Sequence, residues 1–237
     1  MSHTTRPYPA STEPARPSRG VSRLVAALTV GVAAIALTAC SEMTDAVDEA
    51  LGEPTGSSGA PNGPDAATQL AELTVAAEQP MTDYSRDAFP HWSSQGEGCN
   101  TREVVLERDG TDVVTDDECR AESGTWISVY DDEEFTDGGD LDIDHTVPLA
   151  AAWRSGAADW DEERREAFAN DLEAPQLLAV SASSNRSKGD QTPADWVPPA
   201  TAYHCTYASD WIAVKHAYEL TVTEDEVAAL EKLLATC

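Results

Sequence analysis

The chain has 237 residues and a formal net charge of −28 at pH 7. That length allows one domain of ordinary size together with additional terminal segments. Acidity of this degree argues against broad electrostatic attraction to nucleic acid, because such binding depends on Lys and Arg against phosphate. Any chemistry on phosphate therefore requires a local group of basic residues or a bound cation.

The N-terminal segment is typical of an export signal. Several arginines precede an uncharged apolar run at 24–39, which has signal-peptide length and is short for a membrane span. The run ends in Leu37-Thr38-Ala39-Cys40, which resembles the lipobox of bacterial lipoproteins and implies cleavage before Cys40 and lipidation of its thiol. An ordinary signal peptide cut nearby, or an uncleaved anchor, is the alternative. We therefore expect a signal peptide at 1–39 and an extracytoplasmic protein, anchored to the outer face of the cell membrane or secreted.

The next segment has the composition of a linker. Residues 41–68 are rich in Gly, Pro, Ser, Asp and Ala, and are too polar to bury a core. We expect a flexible tether over 40–69, which would let an anchored domain stand away from the membrane. Order is expected to begin near Leu70, so that 70–237 forms one domain.

The remaining cysteines indicate disulfides. An even number of cysteines in an exported chain favours two bridges, and for four residues three pairings are possible. Pairing of sequence neighbours, 99 with 119 and 205 with 237, is the simplest choice. A zinc site is the alternative, but the sequence has no Cys-x₂-Cys pair. The four residues concerned are Cys99, Cys119, Cys205 and Cys237.

Local patterns in the domain predict both helices and strands. Residues 100–108 predict a short helix with Asn100 or Thr101 as the N-cap. Residues 113–114 and 125–130 predict strands, and the turn-forming run Asp137-Gly138-Gly139-Asp140 predicts an antiparallel hairpin between strands 125–130 and 141–147. Further helices are expected over 149–154, 159–168 with Asp159 and Glu162 as a capping pair, 207–220, and 224–235 with Thr223 and Glu226 as a capping pair. The predicted class is α+β.

The stretch 141–149 carries the first candidate site residues. It alternates apolar residues with Asp142 and Asp144, continues into His145 and breaks at Pro148. Asp144 offers hard oxygen donors that suit Mg²⁺, and His145 takes a proton near neutral pH. This pair is the minimum set for metal-assisted hydrolysis, although an isolated Asp-His pair is more often a solvated surface feature.

Five blocks in chain order carry a resemblance to a known family. They are similar to the HNH endonuclease superfamily with the ββα-metal fold, and most of all to the domain at the C-terminus of GmrSD restriction endonucleases and in secreted actinobacterial relatives. The resemblance covers about residues 70–237 and implies an α+β domain in which helices are added to a ββα-metal core. The blocks are Leu141–Leu149, Trp153–Ala157, Phe168–Asp171, Gln176–Val180 and Ser184–Asp190.

The resemblance implies a role for several side chains. Asp144 and Asn185 would hold one divalent cation, and His145 would be the general base. An amide is a weaker ligand than imidazole, so this set favours Mg²⁺, or Mn²⁺, over Zn²⁺. Relatives often place Asn just before the apolar run where this chain has Gln176. The group that orients His145 is therefore either Gln176 or a backbone carbonyl.

Basic residues near the site are the expected contacts to substrate phosphate. In so acidic a chain, Lys188 and Arg186 are best explained as phosphate contacts, and Arg102 is a further candidate. Asp142 shares a strand face with Asp144 and is either its partner or a surface residue. Four of the candidate side chains lie at a strand end or on a polar helix, so we expect each to be replaceable without loss of the fold; they are Asp144, His145, Asn185 and Lys188.

These patterns and the resemblance together predict an exported, lipid-anchored and metal-dependent endonuclease. It would hydrolyse phosphodiester bonds in nucleic acid, DNA in preference to RNA, and act as a monomer. The strong acidity is the main argument against this interpretation. Two alternatives stay open: a noncatalytic binding module of the cell envelope that retains the fold, and a hydrolase of smaller phosphate esters.

Overall fold

The computed structural model describes residues 63–237, with side chains from residue 65 onward. The expected signal peptide, Cys40 and most of the expected tether lie outside the described residues. Short helices and strands alternate along the described part of the chain. In chain order they are α1 (Gly63–Glu72), β1 (Ser94–Gly96), β2 (Cys99–Asn100), α2 (Thr101–Asp109), β3 (Thr111–Thr115), β4 (Ala121–Ile127), β5 (Glu134–Phe135), β6 (Leu141–His145), α3 (Leu149–Arg154), α4 (Glu162–Ala169), β7 (Leu177–Ser181), α5 (Ala182–Lys188), α6 (His204–Ala217) and α7 (Glu224–Leu234).

The strands form small antiparallel sheets rather than one large sheet. β1 pairs with β2, β4 lies between β3 and β5, and β6 pairs with β7. The expected hairpin between 125–130 and 141–147 is therefore wrong. The partner of β6 is the apolar run at 177–181, which lies far along the sequence.

Local hydrogen bonds explain why the chain does not form the expected hairpin. After β4, the Ser128 N–H donates to the Glu133 carbonyl over 2.9 Å, and this tight turn brings β5 back along β4. The Asp137 side chain accepts from the Gly139 N–H at 2.8 Å and caps a 3₁₀ turn at Gly138–Asp140. The glycine-rich run therefore ends one sheet and leads into the next, instead of joining two strands of one hairpin.

The antiparallel pair of β6 and β7 lies between two hydrophobic cores, which is why its apolar residues occupy both faces. On one face Leu141, Ile143 and their neighbours in β7 pack against α2 and Trp126 of β4. On the other face Val180 joins a larger core that includes residues of α1, α3, α4, α6 and α7. Because strand side chains alternate, Asp144 lies on the face opposite Ile143.

The described domain begins earlier than expected. Helix α1 starts at Gly63, within the segment expected to be a tether. Its apolar residues Ala66, Leu70 and Leu73 are buried, and they recur at the spacing of one helix face. They pack against α6 and α7, so this helix belongs to the domain.

Several local predictions are confirmed. Asn100 caps α2 by accepting from the Arg102 N–H at 2.8 Å, and Thr223 with Glu226 forms a complete capping box at the start of α7. Helix α4 is capped by Asp161 rather than by the expected Asp159. The α+β class is also confirmed, and none of the helices within 63–237 is long and apolar enough to cross a bilayer.

Two disulfides join the expected sequence neighbours. Cys99 bonds to Cys119, and Cys205 bonds to Cys237, with Cα atoms 5.0 and 5.1 Å apart. The first bridge ties β2 to the turn before β4. The second ties the start of α6 to the residue that follows α7 by three positions, so the last two helices are closed into one unit.

Candidate active site

β7 leads directly into α5, and this helix packs across both β6 and β7. Asp144 and His145 are the last two residues of β6. Ser181 ends β7 and caps α5 by accepting from the Ser184 N–H at 3.2 Å. The hydroxyls of both serines also donate to Oδ2 of Asp131. These contacts fix the start of α5 to the end of β7 and to the loop that follows β4.

Asp144 is almost completely buried, with 5% of its surface exposed. The Tyr130 hydroxyl donates to Oδ2 at 2.6 Å, and Lys188 Nζ lies 2.7 Å from Oδ2 and 3.0 Å from Oδ1. Burial raises the pKa of Tyr130, so its hydroxyl stays protonated and remains a donor. The carboxylate is thus held in one orientation, and Lys188 supplies the counter-charge that a buried carboxylate requires.

Lys188 does not occupy the expected surface position. Its side chain is 0% exposed, and Nζ also donates to the His145 carbonyl at 2.8 Å. Burial lowers the pKa of Lys188, while the neighbouring Asp144 opposes that shift. Lys188 is an internal partner of Asp144 rather than an exposed phosphate contact. Removal of either residue alone would leave a buried charge unpaired, so substitution of one partner is expected to cost more stability than substitution of a surface residue.

His145 is buried at the end of β6, and its ring has a defined hydrogen bond. Nε2 lies 2.9 Å from the Ala169 carbonyl. Because a carbonyl only accepts, Nε2 carries the proton and Nδ1 keeps its lone pair. Burial lowers the pKa of His145 to about 3, with the nearby charges of Arg86 and Lys188 acting in the same direction. The ring is therefore neutral at pH 7 and can accept a proton at Nδ1.

Gln176 does not contact the His145 ring. Its Oε1 accepts from the Val147 N–H at 3.1 Å, and its Nε2 donates to the Val147 carbonyl at 3.0 Å. This two-sided pairing holds the loop after β6 and directs the amide to the backbone of Val147. Of the two groups expected to orient His145, the structure has the backbone carbonyl, that of Ala169.

Asn185 lies on the turn of α5 that faces β6. Its Nδ2 donates to Asp142 Oδ2 at 3.2 Å, and its Oδ1 has no hydrogen-bond partner among the described residues. Arg186 is 76% exposed, with Nε 3.7 Å from Asp142 Oδ2. Asp142 therefore helps to position α5, while Arg186 stays accessible to solvent.

Arg102 supports the strand instead of facing the site. Its Nη2 donates to the carbonyls of Gly138 and Leu141 at 3.0 and 3.1 Å. These bonds tie α2 to the turn that leads into β6. Arg102 is not among the residues that line the cavity at the end of that strand.

A cavity of about 290 Å³ opens at the end of β6. Asp144 and His145 line it from the strand, and Asn185 lines it from α5. Tyr84 and Arg86 complete one wall from the loop that precedes β1. Three of the residues expected to act together thus meet at a single cavity, although Asn185 is distant from the other two in sequence.

Sequence patterns did not indicate Tyr84, Arg86 or Tyr130 as parts of this site. Arg86 begins a short 3₁₀ helix, Arg86–Ala88, in a region without apolar periodicity. For Arg86, the one feature that could have indicated a role in the site is that it is a basic residue in a very acidic chain. The contact between Tyr130 and Asp144 depends on the path of the chain between β4 and β6, for which the sequence favoured a different pairing.

The donors at the cavity suit a weakly held divalent ion. Within 63–237, no group of three or more His, Cys, Asp or Glu residues is arranged to hold a metal. Mg²⁺ usually keeps several waters and takes one or two carboxylates, so Asp144 together with the Asn185 amide is sufficient in kind. A carboxylate offers about four lone-pair positions, and Asp144 uses three of them for Tyr130 and Lys188. The residues therefore fit such an ion, although the charge of Lys188 opposes its binding.

Comparisons with known proteins give one family and one relative of this chain. Residues 102–233 match the family described as GmrSD restriction endonucleases, C-terminal domain. A protein of Arthroderma benhamiae, described as an uncharacterized secreted protein, is 50% identical over 180 residues, which cover 75% of this chain and 88% of that protein. No solved structure gives a significant match. The family suggests a nuclease-like function, and the matched region includes Asp144, His145 and Asn185. Because that region spans more than half of the sequence, this chain belongs to the family of GmrSD restriction endonuclease C-terminal domains.

Proposed function

We propose that this protein is a metal-dependent HNH endonuclease that hydrolyses phosphodiester bonds in nucleic acid, with DNA preferred to RNA, and that it acts as a monomer. The observation that carries the proposal is that Asp144, His145 and Asn185 line one cavity from two different elements. β6, β7 and α5 follow one another in the order of a ββα-metal core, with α3 and α4 inserted between the two strands. Membership of a family of restriction endonuclease domains supports a nuclease.

His145 is the general base of the proposed reaction. Nδ1 takes a proton from a water molecule, whose oxygen attacks phosphorus while the bond from phosphorus to the leaving oxygen breaks. The leaving oxygen takes a proton from solvent. The Ala169 carbonyl stabilises the imidazolium that forms, because it already accepts from Nε2. A phosphate in the cavity would bring negative charge close to His145 and raise its pKa from about 3.

Asp144 and Asn185 are the residues that would hold Mg²⁺ or Mn²⁺. When bound, the ion supplies positive charge that stabilises the phosphate and the leaving oxygen as negative charge develops. Tyr130 and Lys188 keep the Asp144 carboxylate in its orientation. Arg186 is exposed beside this site and supplies a contact to the substrate backbone.

Cleavage assays on the full-length protein test the proposal. Plasmid DNA and RNA are incubated with Mg²⁺, Mn²⁺ or EDTA, and His145→Ala is expected to lower the rate about 10²–10⁴-fold. His216→Ala is the matched control, because His216 is a partly exposed histidine that pairs with Glu72 outside the cavity. Asn185→Ala is expected to raise the metal concentration required. Asp144→Ala is less informative, since it leaves Lys188 buried without its partner.

The outcomes separate the proposal from its alternatives. Wild-type cleavage by His145→Ala in Mg²⁺ would remove His145 from the reaction and end this assignment of the site. A wild-type protein that cleaves no nucleic acid with any metal would instead favour a noncatalytic binding module. Turnover of small phosphodiesters alone would identify a hydrolase of smaller phosphate esters.

We also propose that the protein is exported and held at the outer face of the membrane through lipid on Cys40. The relative from Arthroderma benhamiae is described as secreted, and two disulfides are typical of proteins in oxidising compartments. Mass spectrometry is expected to find the mature N-terminus at Cys40, and Cys40→Ala is expected to leave the membrane fraction. A mature N-terminus at any other residue would contradict lipid anchoring without affecting the proposed activity.

A further inference from the structure

We infer that Arg86 is the residue that binds the substrate phosphate at the cavity. This inference rests on the proposed function and deepens it. Arg86 lies outside the matched region 102–233 and on a different segment from the other site residues. It lines the same cavity as Asp144, His145 and Asn185. The chemical group recognised would be the phosphodiester oxygens of the nucleic-acid backbone.

The first argument is that Arg86 is available at the cavity whereas Lys188 and Arg154 are engaged, and that the exposed Arg186 does not line the cavity. Lys188 is buried against Asp144. Arg154, which lies close to the cavity, donates to Asp190 Oδ2 at 2.8 Å and contacts Glu78 at 3.0 Å. Arg86 makes no side-chain hydrogen bond or ion pair with any residue in the described part of the chain. Its guanidinium is therefore free to take a ligand.

The second argument concerns the charge that the cavity needs. Asp144 and Asp190 both line it, and the chain as a whole carries −28, so an approaching phosphate meets negative charge. Their lysine and arginine partners offset these two carboxylates but offer no free donors toward the cavity. A guanidinium can bind two phosphate oxygens at once through its planar fork, which makes Arg86 the suitable group.

The third argument is that the backbone holds Arg86 in place while its side chain stays exposed. Ser85 caps the short helix by accepting from the Asp87 N–H at 3.2 Å, and the Phe89 N–H donates to the Arg86 carbonyl at 3.1 Å. Phe89 is completely buried, which anchors the segment in the larger core. Arg86 is thus carried by a segment that is fixed to the core, and it lines the same cavity as His145.

Kinetics of three variants of the full-length protein test this inference. Arg86→Ala is expected to raise the KM for DNA about tenfold or more, as for loss of a charge-assisted hydrogen bond. The slope of log binding constant against log salt concentration should also become shallower by about one, which corresponds to one lost phosphate contact. Arg86→Lys keeps the charge without the fork and should recover part of the loss. Lys232→Ala is the control: this exposed lysine of α7 does not line the cavity, and its removal changes net charge by the same amount.

Binding of a fluorescent DNA duplex in EDTA, followed by anisotropy, separates failure of this inference from failure of the proposed function. Arg86→Ala with wild-type KM and salt dependence in an active enzyme would overturn the role of Arg86 and leave the nuclease intact. A second outcome is that the wild type does not cleave DNA but binds the duplex, and that binding weakens in Arg86→Ala and not in Lys232→Ala. This result would uphold the phosphate contact and reject the nuclease. Absence of both cleavage and binding would reject both. A thermal melt confirms that each variant is folded.

Discussion

Two lysine–carboxylate pairs are buried within residues 63–237, and they are alike in most measurable respects. Lys188 lies 2.7 Å from Asp144, and Lys215 lies 2.6 Å from Glu226. All four side chains are buried, and burial lowers the pKa of both lysines against the opposing effect of their carboxylates. Distance, burial and direction of pKa shift therefore do not tell the two pairs apart.

The surroundings of the Lys215 pair are closed on every side. Nζ also donates to Ser155 Oγ at 3.1 Å and to the Thr221 carbonyl at 2.8 Å. Glu226 accepts from the Trp211 indole and completes the capping box of α7. This network joins α6, α7 and the end of α3. Its hydrogen bonds are all directed to protein groups, which is the pattern of a structural ion pair.

The Lys188 pair differs because its carboxylate faces a cavity. Asp144 lines the cavity that His145 and Asn185 also line. Lys188, which does not line the cavity, donates to both Asp144 and the His145 carbonyl. A buried ion pair is thus weak evidence for function by itself. The access of its carboxylate to a cavity, beside an oriented imidazole, is what distinguishes this pair.

Asp210 shows the cost of burying a carboxylate without a lysine. It is buried on α6, where the Tyr203 hydroxyl donates to its Oδ2 at 2.9 Å. Burial raises the pKa of Asp210 to about 7, and the bond from Tyr203 only partly opposes that shift. In the two ion pairs, a lysine partner offsets the penalty of burying the charged form.

The largest effect that the comparison predicts is on stability at the closed pair. Lys215→Met leaves Glu226 buried with no cation and no route for water, and is expected to lower the free energy of unfolding by about 3–5 kcal/mol. Urea unfolding at pH 7 measures the change. A variant as stable as the wild type would show that the Lys215 network does not support the packing of α6 and α7.

A double variant provides the control for that prediction. Lys215→Met with Glu226→Gln removes the unpaired charge but retains an amide whose single oxygen can accept from either the Trp211 indole or the Thr223 N–H, which bond to different oxygens of Glu226. It should recover at least part of the lost stability, because the penalty comes from the isolated carboxylate. A double variant less stable than the single one would mean that packing volume, rather than charge, controls the site.

The sequence brought three candidate residues to one cavity, although it paired the strand that carries two of them with the wrong partner. Asp144, His145 and Asn185 were indicated by residue chemistry and by blocks in family order, and they do line one cavity. Cysteine count and order gave both disulfides, and capping chemistry gave the start of α7. Such features depend on residues close in sequence or on a motif, so they can be read without the fold.

The pairing of β6 and the place of Lys188 depend on contacts that no local pattern records. The turn residues before Leu141 favoured a hairpin, but two-sided burial of β6 required the distant apolar strand β7. Lys188 belongs to a polar helix in sequence, yet its position three residues after Asn185 places both on the face that meets β6. Burial of that face then converts an expected surface charge into the partner of Asp144.

The smaller effect predicted by the comparison concerns the open pair. Lys188→Met also removes a buried cation, but Asp144 keeps the Tyr130 hydroxyl and can be reached from the cavity. The expected loss of unfolding free energy is about 1–3 kcal/mol, less than for Lys215→Met. Removal of the positive charge should also raise the affinity of the protein for Mn²⁺ about tenfold, because Lys188 and the ion compete for the same carboxylate.

Calorimetric titration with Mn²⁺ measures that affinity without depending on cleavage. Lys215→Met, titrated under conditions in which it remains folded, is the matched control, since Glu226 is enclosed by protein and its neutralisation should not alter metal binding. Equal affinity in Lys188→Met and the wild type would contradict the role of Asp144 as a ligand. A rise in both lysine variants would instead attribute the change to net charge, because each substitution removes one positive charge from the same acidic chain. A rise confined to Lys188→Met would locate the ion at the carboxylate that faces the cavity.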